Sequence, residues 1–207
     1  MQRHGGVSDA AGEVLTCALL SRPNLAATAT PLSIDLDAFR CGENIYDFDA
    51  LRTAVHLAVV TCDNLLDVIS CPFETSMDYL MQHRPVTIAA HNLQDALALF
   101  GIPLDSPEGA HMNVMFFETM YHGAVEASVQ LARYRGPYPA WAGSPAFDGE
   151  LYVDMCPMQT TGEEDFTMLR IQASRDGLRN STFLCQPSRL YFPTLHDRGS
   201  GAQPYTR

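Results

Sequence analysis

Apolar and polar positions divide the chain into short extended runs and longer helical stretches. LSIDLD at 32–37 alternates apolar and polar residues, as a half-exposed strand does, and RCGEN at 40–44 follows as a turn. Asp47 is placed to cap a long helix in which Leu51, Val55, Ala58, Val59, Cys62, Leu65 and Leu66 recur at helical spacing. That helix is expected to end near Cys71-Pro72, because a proline disfavours helical geometry in the residue before it. Residues 75–82 predict a short helix or turn, RPVTIAA at 84–90 a buried strand, and HNLQDALALFG at 91–101 a helix closed by Gly101.

The clearest helix start in the chain is Ser106-Pro107-Glu108. Serine caps, proline takes the first helical position, and the carboxylate meets the positive end of the dipole. Met112, Met115, Phe116, Met120, Ala124, Ala127 and Leu131 then hold one face up to about Arg133. GPYPAWAGSP at 136–145 carries too much proline and glycine for a regular element. ELYVDM at 150–155 predicts a strand, 163–176 a helix with Gly177 at its cap, and STFLC at 181–185 another strand. Residues 1–30 read as a loop region with at most a short element over 13–20, and the last twenty residues read as loop. Strands alternating with helices predict an α/β fold with a largely parallel sheet.

Composition removes several function classes. Hydrophobic content of 46% against 18% charge fits a folded globular chain, and no apolar run reaches the ~18 residues a membrane span needs. No apolar leader core is visible after MQRHGG, which favours a cytosolic chain without membrane association. A formal charge of -11 argues against nucleic acid as a partner. Every basic residue is arginine, so Schiff-base and P-loop lysines are excluded. A lysine-free chain is what codon bias in a GC-rich genome produces. The six cysteines (17, 41, 62, 71, 156, 185) form no close metal-binding pair, and the seven histidines include no HExxH or HxxxH. No metal and no cofactor is therefore expected.

Three stretches change this picture: HRPVTIAAHNLQDAL (83–97), SPEGAHMNVMFFETMYHGAVEAS (106–128) and GPYPAWAGSP (136–145). With YDFDAL before the first long helix, GLRNS at 177–181 and PYT at 204–206, they resemble the large subunit of class I ribonucleotide reductase, in the same order and at similar separations. The resemblance implies part of that family's α/β barrel, incomplete in this chain. It divides the chain into a finger-loop-like and short-strand region, 1–45, and a barrel-derived region, 46–207, within a single domain. The effector-binding region, the last barrel elements and the mobile thiol tail of the family have no counterpart in the expected match.

In the family the barrel encloses a cysteine that carries a thiyl radical, on a loop reading Asn-Leu-Cys-x-Glu. A pair of further cysteines supplies two electrons. The best local match here runs from Asp9 through Ala11 to Glu13. Glu13 keeps the carboxylate, Asp9 replaces the asparagine, and Ala11 stands for the radical cysteine. Alanine has no S–H bond to give up. The next family motif, Cys-Asn-Leu-(Ala/Gly)-Ser, is matched by Pro23-Asn24-Leu25-Ala26-Ala27, with proline in place of the thiol. A rival register puts the finger loop on 23–28, with Ala26 for the cysteine and Thr28 for the glutamate. The substrate-diphosphate loop, Pro-Thr-Ala-Ser-Thr, is matched by Pro187-Ser188-Arg189-Leu190-Tyr191. Ser188 and Arg189 can still touch an anion, while Leu190 and Tyr191 are bulky, so nucleotide affinity is left open. The strand motif Arg-Pro-(Ile/Val)-Gly-(Ile/Val)-Gly-Val-Gln-Gly keeps Arg84, Pro85, Val86 and Ile88 but puts Thr87, Ala89 and Asn92 at its glycines and His91 at its glutamine.

Scaffold kept and site altered is the pattern of a non-catalytic homologue, and it resembles most the betaherpesvirus reductase-like large subunits. That resemblance implies a protein without reductase activity, found in the virion tegument or host cytoplasm. Its partners would be host or viral proteins, with self-association or a reductase subunit as further candidates. The alternative is a fragment of a working ribonucleoside-diphosphate reductase. Against these readings Cys17 is expected to be a bystander, Cys62 a core residue and His91 a space-filling histidine. The methionine stripe is expected to be core packing, and Glu163, Glu164 and Asp165 the acidic first turn of a helix.

Overall fold

The computed structural model describes residues 31–42, 45–70, 74–155 and 160–184. Its elements in chain order are strands β1 (Pro31–Asp35), β2 (Arg40–Gly42) and β3 (Ile45–Tyr46), helices α1 (Phe48–Val68) and α2 (Glu74–His83), strand β4 (Thr87–His91), and helices α3 (Leu93–Ala98), α4 (Pro107–Arg135), α5 (Tyr152–Met155) and α6 (Thr167–Asp176). Between α4 and α5 the proline-rich stretch folds into two 3-10 turns, Pro139–Trp141 and Pro145–Asp148.

β1 and β4 pair in parallel, from Pro31 opposite Thr87 to Asp35 opposite His91. The far side of β4 is occupied by the segment after α6. Val86 N donates to Thr182 O at 3.1 Å, Ile88 N to Phe183 O at 2.8 Å, and Ile88 forms a parallel bridge with Leu184. β4 is therefore an interior strand, which explains why its first four residues are all buried. The expected strand over 181–185 contributes this one bridge rather than a full ladder.

Helix α1 connects β1 to β4, as a βαβ crossover must. It packs chiefly on α4, and the two run in parallel: Arg52 lies against Gly123, His56 bonds Gln130 at 3.0 Å, and Asp63 bonds Arg135. Both starts follow the capping chemistry of the sequence. Asp47 Oδ1 accepts from Ala50 N at 2.8 Å, and Ser106 Oγ accepts from Gly109 N at 3.0 Å with Pro107 in the first turn. The core joins Leu51, Val55, Val59, Cys62 and Leu66 of α1 to Ile34, Ile88 and Ala90 of the sheet and to Phe116, Met120, Ala124 and Ala127 of α4. Complete burial of a side chain such as Phe116 contributes about 1.5–3 kcal/mol. The fold is α/β with a partial sheet, and no closed barrel exists among the described residues.

Several expectations need correction. ELYVDM is not a strand: Leu151 N donates to Asp154 Oδ2 at 2.9 Å, which caps a single helical turn at Tyr152–Met155. The helix expected from 163 begins only at Thr167, because Glu164 turns aside to pair with Arg52 and Asp165 Oδ1 accepts from Thr167 N at 2.8 Å. The run over 91–101 is helical only from Leu93 to Ala98, and Gly101 (φ 64°) closes the turn after it. α1 stops at Val68, where Ile69 turns extended, short of Cys71-Pro72. Leu65, expected in the core, is exposed, and of the methionine stripe only Met120 is fully buried. Arg40–Gly42, expected in a turn, form strand β2 and pair with β3 in a small bulged hairpin.

Candidate functional site

The residues singled out for chemistry, Asp9, Ala11, Glu13, Cys17, Pro23, Pro187, Ser188 and Arg189, all lie outside the described residues. What the structure places is the wall formed by β1 and β4 and the frame that holds it.

The partial sheet has two unlike faces. Ile34, Ile88 and Ala90 belong to the apolar core shared with the helices. Alternation puts Ser33, Asp35, Thr87, Ala89 and His91 on the opposite face, and Thr87 and Ala89 are buried there without joining that core. At the carboxyl ends of the strands, where α/β proteins place their ligands, Asp35 and His91 stand opposite each other in register. Asp35 Oδ1 accepts from Asp37 N at 3.1 Å and from Asn92 Nδ2 at 3.0 Å. Burial lowers the His91 pKa, with Asp35 pulling the other way. Tyr46 reaches the same corner, and burial followed by the charges of Asp35 and Asp37 pushes its hydroxyl above the usual range.

Asn92 has φ 56° and ψ 32°, a left-handed conformation that glycine adopts freely and asparagine tolerates better than most residues. The position therefore still makes the backbone demand that a glycine would meet. Thr87 and Ala89 are different. They sit in regular strand and fill space with buried side chains.

Ahead of β4, at the opposite end of the strands, lies a polar knot centred on the fully buried carboxylate of Asp63 in α1. Arg84 Nε donates to Asp63 Oδ1 at 2.9 Å, Arg84 Nη2 to the Asp63 carbonyl at 2.9 Å, and Arg135 Nη1 to Oδ2 at 2.8 Å. Asn180 Nδ2 donates to Oδ1 at 3.1 Å and to the Arg84 carbonyl at 3.2 Å. Arg179 Nε approaches Oδ2 at 3.5 Å. Ser128 closes the set, receiving Asn180 N at 3.0 Å and donating to Asn180 Oδ1 at 3.1 Å. One carboxylate thus ties α1, α4, the entry to β4 and the loop after α6. Arg84 pays for its place with φ 44°, which its neighbours hold.

Sequence reasoning missed Asp63. A signal was present: four residues after Val59 and three before Leu66, an acidic residue falls on the buried face of a helix, and a buried charge requires partners. Cys62 is core, as expected; burial first and Asp63 second push its thiol up to about 11. Cys41 is exposed. Glu163, Glu164 and Asp165 precede their helix instead of opening it. Among the described residues no group of three or more His, Cys, Asp or Glu is placed to hold a metal ion, and no helix is long and apolar enough to cross a membrane.

Comparison with known proteins gives these features a family. The sequence matches the family described as "Ribonucleotide reductase, barrel domain" over residues 11–188. It is 32% identical over 187 residues to the ribonucleoside-diphosphate reductase large chain of Neurospora crassa, covering 90% of this chain and 20% of that protein. It is 35% identical over 161 residues to the large subunit of Arabidopsis thaliana, covering 78% and 20%. The variola virus large subunit is 30% identical over 183 residues, covering 88% and 24%. The chain thus spans about a fifth to a quarter of the length of these relatives. The match over residues 11–188, with relatives above 30% identical over most of the sequence, leads to one conclusion: the chain belongs to the ribonucleotide reductase large-subunit barrel-domain family.

Proposed function

We propose that this chain is a ribonucleotide reductase large-subunit-like protein that keeps the scaffold without the reductase activity. The observation that carries the reading is a contrast between the two ends of one strand. At its entry, Arg84 sits in a satisfied buried network with the GLRNS segment and Ser128. Along the polar face beyond it, Thr87 and Ala89 stand where the family has glycine, and His91 where it has glutamine. In parallel barrels the amino ends of the strands serve stability and the carboxyl ends serve chemistry. The altered residues run toward the chemical end. Ala11 and Pro23, at the positions read as thiols, point the same way.

A viral origin and a role as a virion (tegument) or host-cytoplasm protein, acting by contact with host or viral proteins, rest on the resemblance to the betaherpesvirus homologues and on the lysine-free composition. The test is an assay of the purified chain with reductase small subunits and each ribonucleoside diphosphate. No deoxynucleotide formation is expected; robust product would overturn the reading. As the reciprocal, an active large subunit given threonine, alanine and histidine at the two strand glycines and the glutamine is expected to lose turnover. Unchanged turnover would remove the structural part of the argument.

A second reading, a piece of a working reductase, is favoured by one feature of the sequence. Cys17-Ala18-Leu19-Leu20-Ser21 keeps the cysteine, the central leucine and the serine of Cys-Asn-Leu-(Ala/Gly)-Ser. In that register Cys17 is a retained reducing thiol, Pro23 replaces nothing, and the finger loop falls further upstream than Asp9. Joining the chain to the missing parts of a relative separates the readings. Activity that depends on Cys17 supports the second.

A further inference from the structure

The outer face of helix α1 carries no charge. Between Asp49 in its first turn and Asp67 in its last, the exposed residues are Thr53, Leu57, Thr61, Asn64 and Leu65, and Val68 follows at the end. Leu57 is 65% exposed, Leu65 39% and Val68 77%. The charged groups of that stretch are engaged elsewhere. Arg52 pairs with Glu164, and Asp63 is the buried centre of the knot. The solvent face of a globular helix is ordinarily charged or polar, whereas the centres of protein interfaces are depleted in charge.

The polar members of this face suit burial as well. The Thr53 hydroxyl donates to Asp49 O at 2.9 Å, and the Thr61 hydroxyl to Leu57 O at 2.8 Å. Both donors are satisfied within the helix, so covering them strands neither. Met168 and Ile171 of α6 are exposed too, but Arg175 continues their face and no stripe of comparable length forms.

The stripe on α1 is its own complement. Leu57, Thr61, Leu65 and Val68 recur at helical spacing on one face. Two such helices packed antiparallel about a two-fold axis at Thr61 set Leu57 against the second copy's Leu65. Ala54, which is half-buried, meets the second copy's Val68, and Thr61 meets itself. No like charges meet along that seam. The ends match also. α1 starts at Asp47 and Asp49 and finishes beside Arg84 and Arg135. Antiparallel order sets each end, and each end of the helix dipole, against its opposite.

We propose that the outer face of α1 is a homodimer interface, on which a second copy of this chain docks its own α1 antiparallel across Thr61. One helix face per chain is a small contact, below the roughly 1,200 Å² at which stable complexes begin. The dimer is therefore weak, with a dissociation constant on the order of 10–100 μM. Each copy carries a formal charge of -11. Long-range repulsion opposes the contact, so added salt strengthens it. The contact does not depend on whether the chain reduces ribonucleotides.

The test is sedimentation equilibrium of the full chain from about 5 to about 500 μM, in about 50 mM and about 500 mM salt. A monomer–dimer equilibrium that tightens severalfold at the higher salt is expected. Leu57→Glu is expected to weaken association about tenfold or more, with a thermal melt at low concentration close to that of the parent. A chain that stays monomeric throughout overturns the proposal. So does a dimer that salt dissociates, or one that Leu57→Glu leaves intact. Should Leu57→Glu fail to fold, two cysteine variants decide, with the parent's own cysteines as the baseline. Thr61→Cys lies on the axis and is expected to form a disulfide-linked dimer under mild oxidation. Thr53→Cys, equally exposed but two turns away, holds its two sulfurs far beyond disulfide reach. Equal cross-linking at both positions, or none with Thr61→Cys, sinks the interface.

Discussion

The guanidinium of Arg84 and the carboxylate of Asp63 meet at 2.8 and 2.9 Å with side chains 5% and 0% exposed. Arg135 and Arg179 converge on the same carboxylate, so Asp63 is the shared partner of three cations, of which Arg84 also reaches Asp67 at 2.8 Å. Removing one partner of a buried pair costs about 3–5 kcal/mol, because the remaining charge is left uncompensated. Asp63→Asn is therefore expected to lower stability by that order. A urea melt checks it: an unchanged midpoint would show the knot to be incidental.

Asn180 serves the same knot as a neutral member, giving both amide hydrogens and accepting from Ser128. Asn180→Ala removes the acceptor of the Ser128 hydroxyl, which keeps only the bond it receives from the backbone N of residue 180, and removes the amide donor to the Arg84 carbonyl. The expected loss is about 1–3 kcal/mol, read from the same melts. A double-mutant cycle with Ser128→Ala should show coupling, and strict additivity would mean the two act separately.

Gly177 has φ 84°, and a Cβ there would stand 2.7 Å from Pro137 Cβ. Backbone conformation and contact both reject a side chain, and the proline ring cannot swing away. Gly177→Ala is expected to cost about 1–3 kcal/mol. A thermal melt within error of the parent would contradict the close approach of the loop after α4 to the end of α6.

Asp154 and Arg170 join α5 to α6. The hydrogen bond from Arg170 is the main cause holding the Asp154 carboxyl below its ordinary value. The sign follows directly. A group whose folded pKa is depressed contributes stability above its unfolded pKa and loses it as pH falls through the folded value. Asp154→Asn is thus expected to lower the melting temperature at neutral pH, with the difference from the parent closing in acid below the usual aspartate range. A difference that grows on acidification would refute the assignment.

Cys41 and Cys62 offer a chemical check. Cys41 is exposed, whereas the Cys62 thiol is buried and pushed up to about 11. Thiolate, not thiol, is the nucleophile. A maleimide at neutral pH should modify Cys41 in the native protein and Cys62 only after denaturant is added. Mass spectrometry reads both sites, and native labelling of Cys62 would overturn its placement in the core.

Local chemistry made much of this fold legible. Asp47 and Ser106 announce their helices by capping, and the apolar spacing of Leu51, Val55, Val59 and Cys62 marks the face that is buried. ELYVDM reads as a strand by its alternation, which carries no signal of a capped turn. Only the bond from Leu151 N to Asp154, with Tyr152 N held by the Tyr121 hydroxyl at 2.9 Å, decided for the turn. The acidic run over 163–165 read as a helix start until Arg52, distant in sequence, drew Glu164 away.

The sequence by itself determined the family, the α/β order and the residues that replace its glycines, because these are properties of residue type and spacing along the chain. Tertiary structure decided that Asp63 is the centre of the frame and that the buried Glu118 receives Thr161 from the segment ahead of α6. It also decided that Thr87 and Ala89 are buried on the face away from the core. The physical reason is that a buried charge and a filled face are defined by neighbours. Those neighbours, Arg84, Arg135, Asn180 and Thr161, come from segments that no local pattern connects.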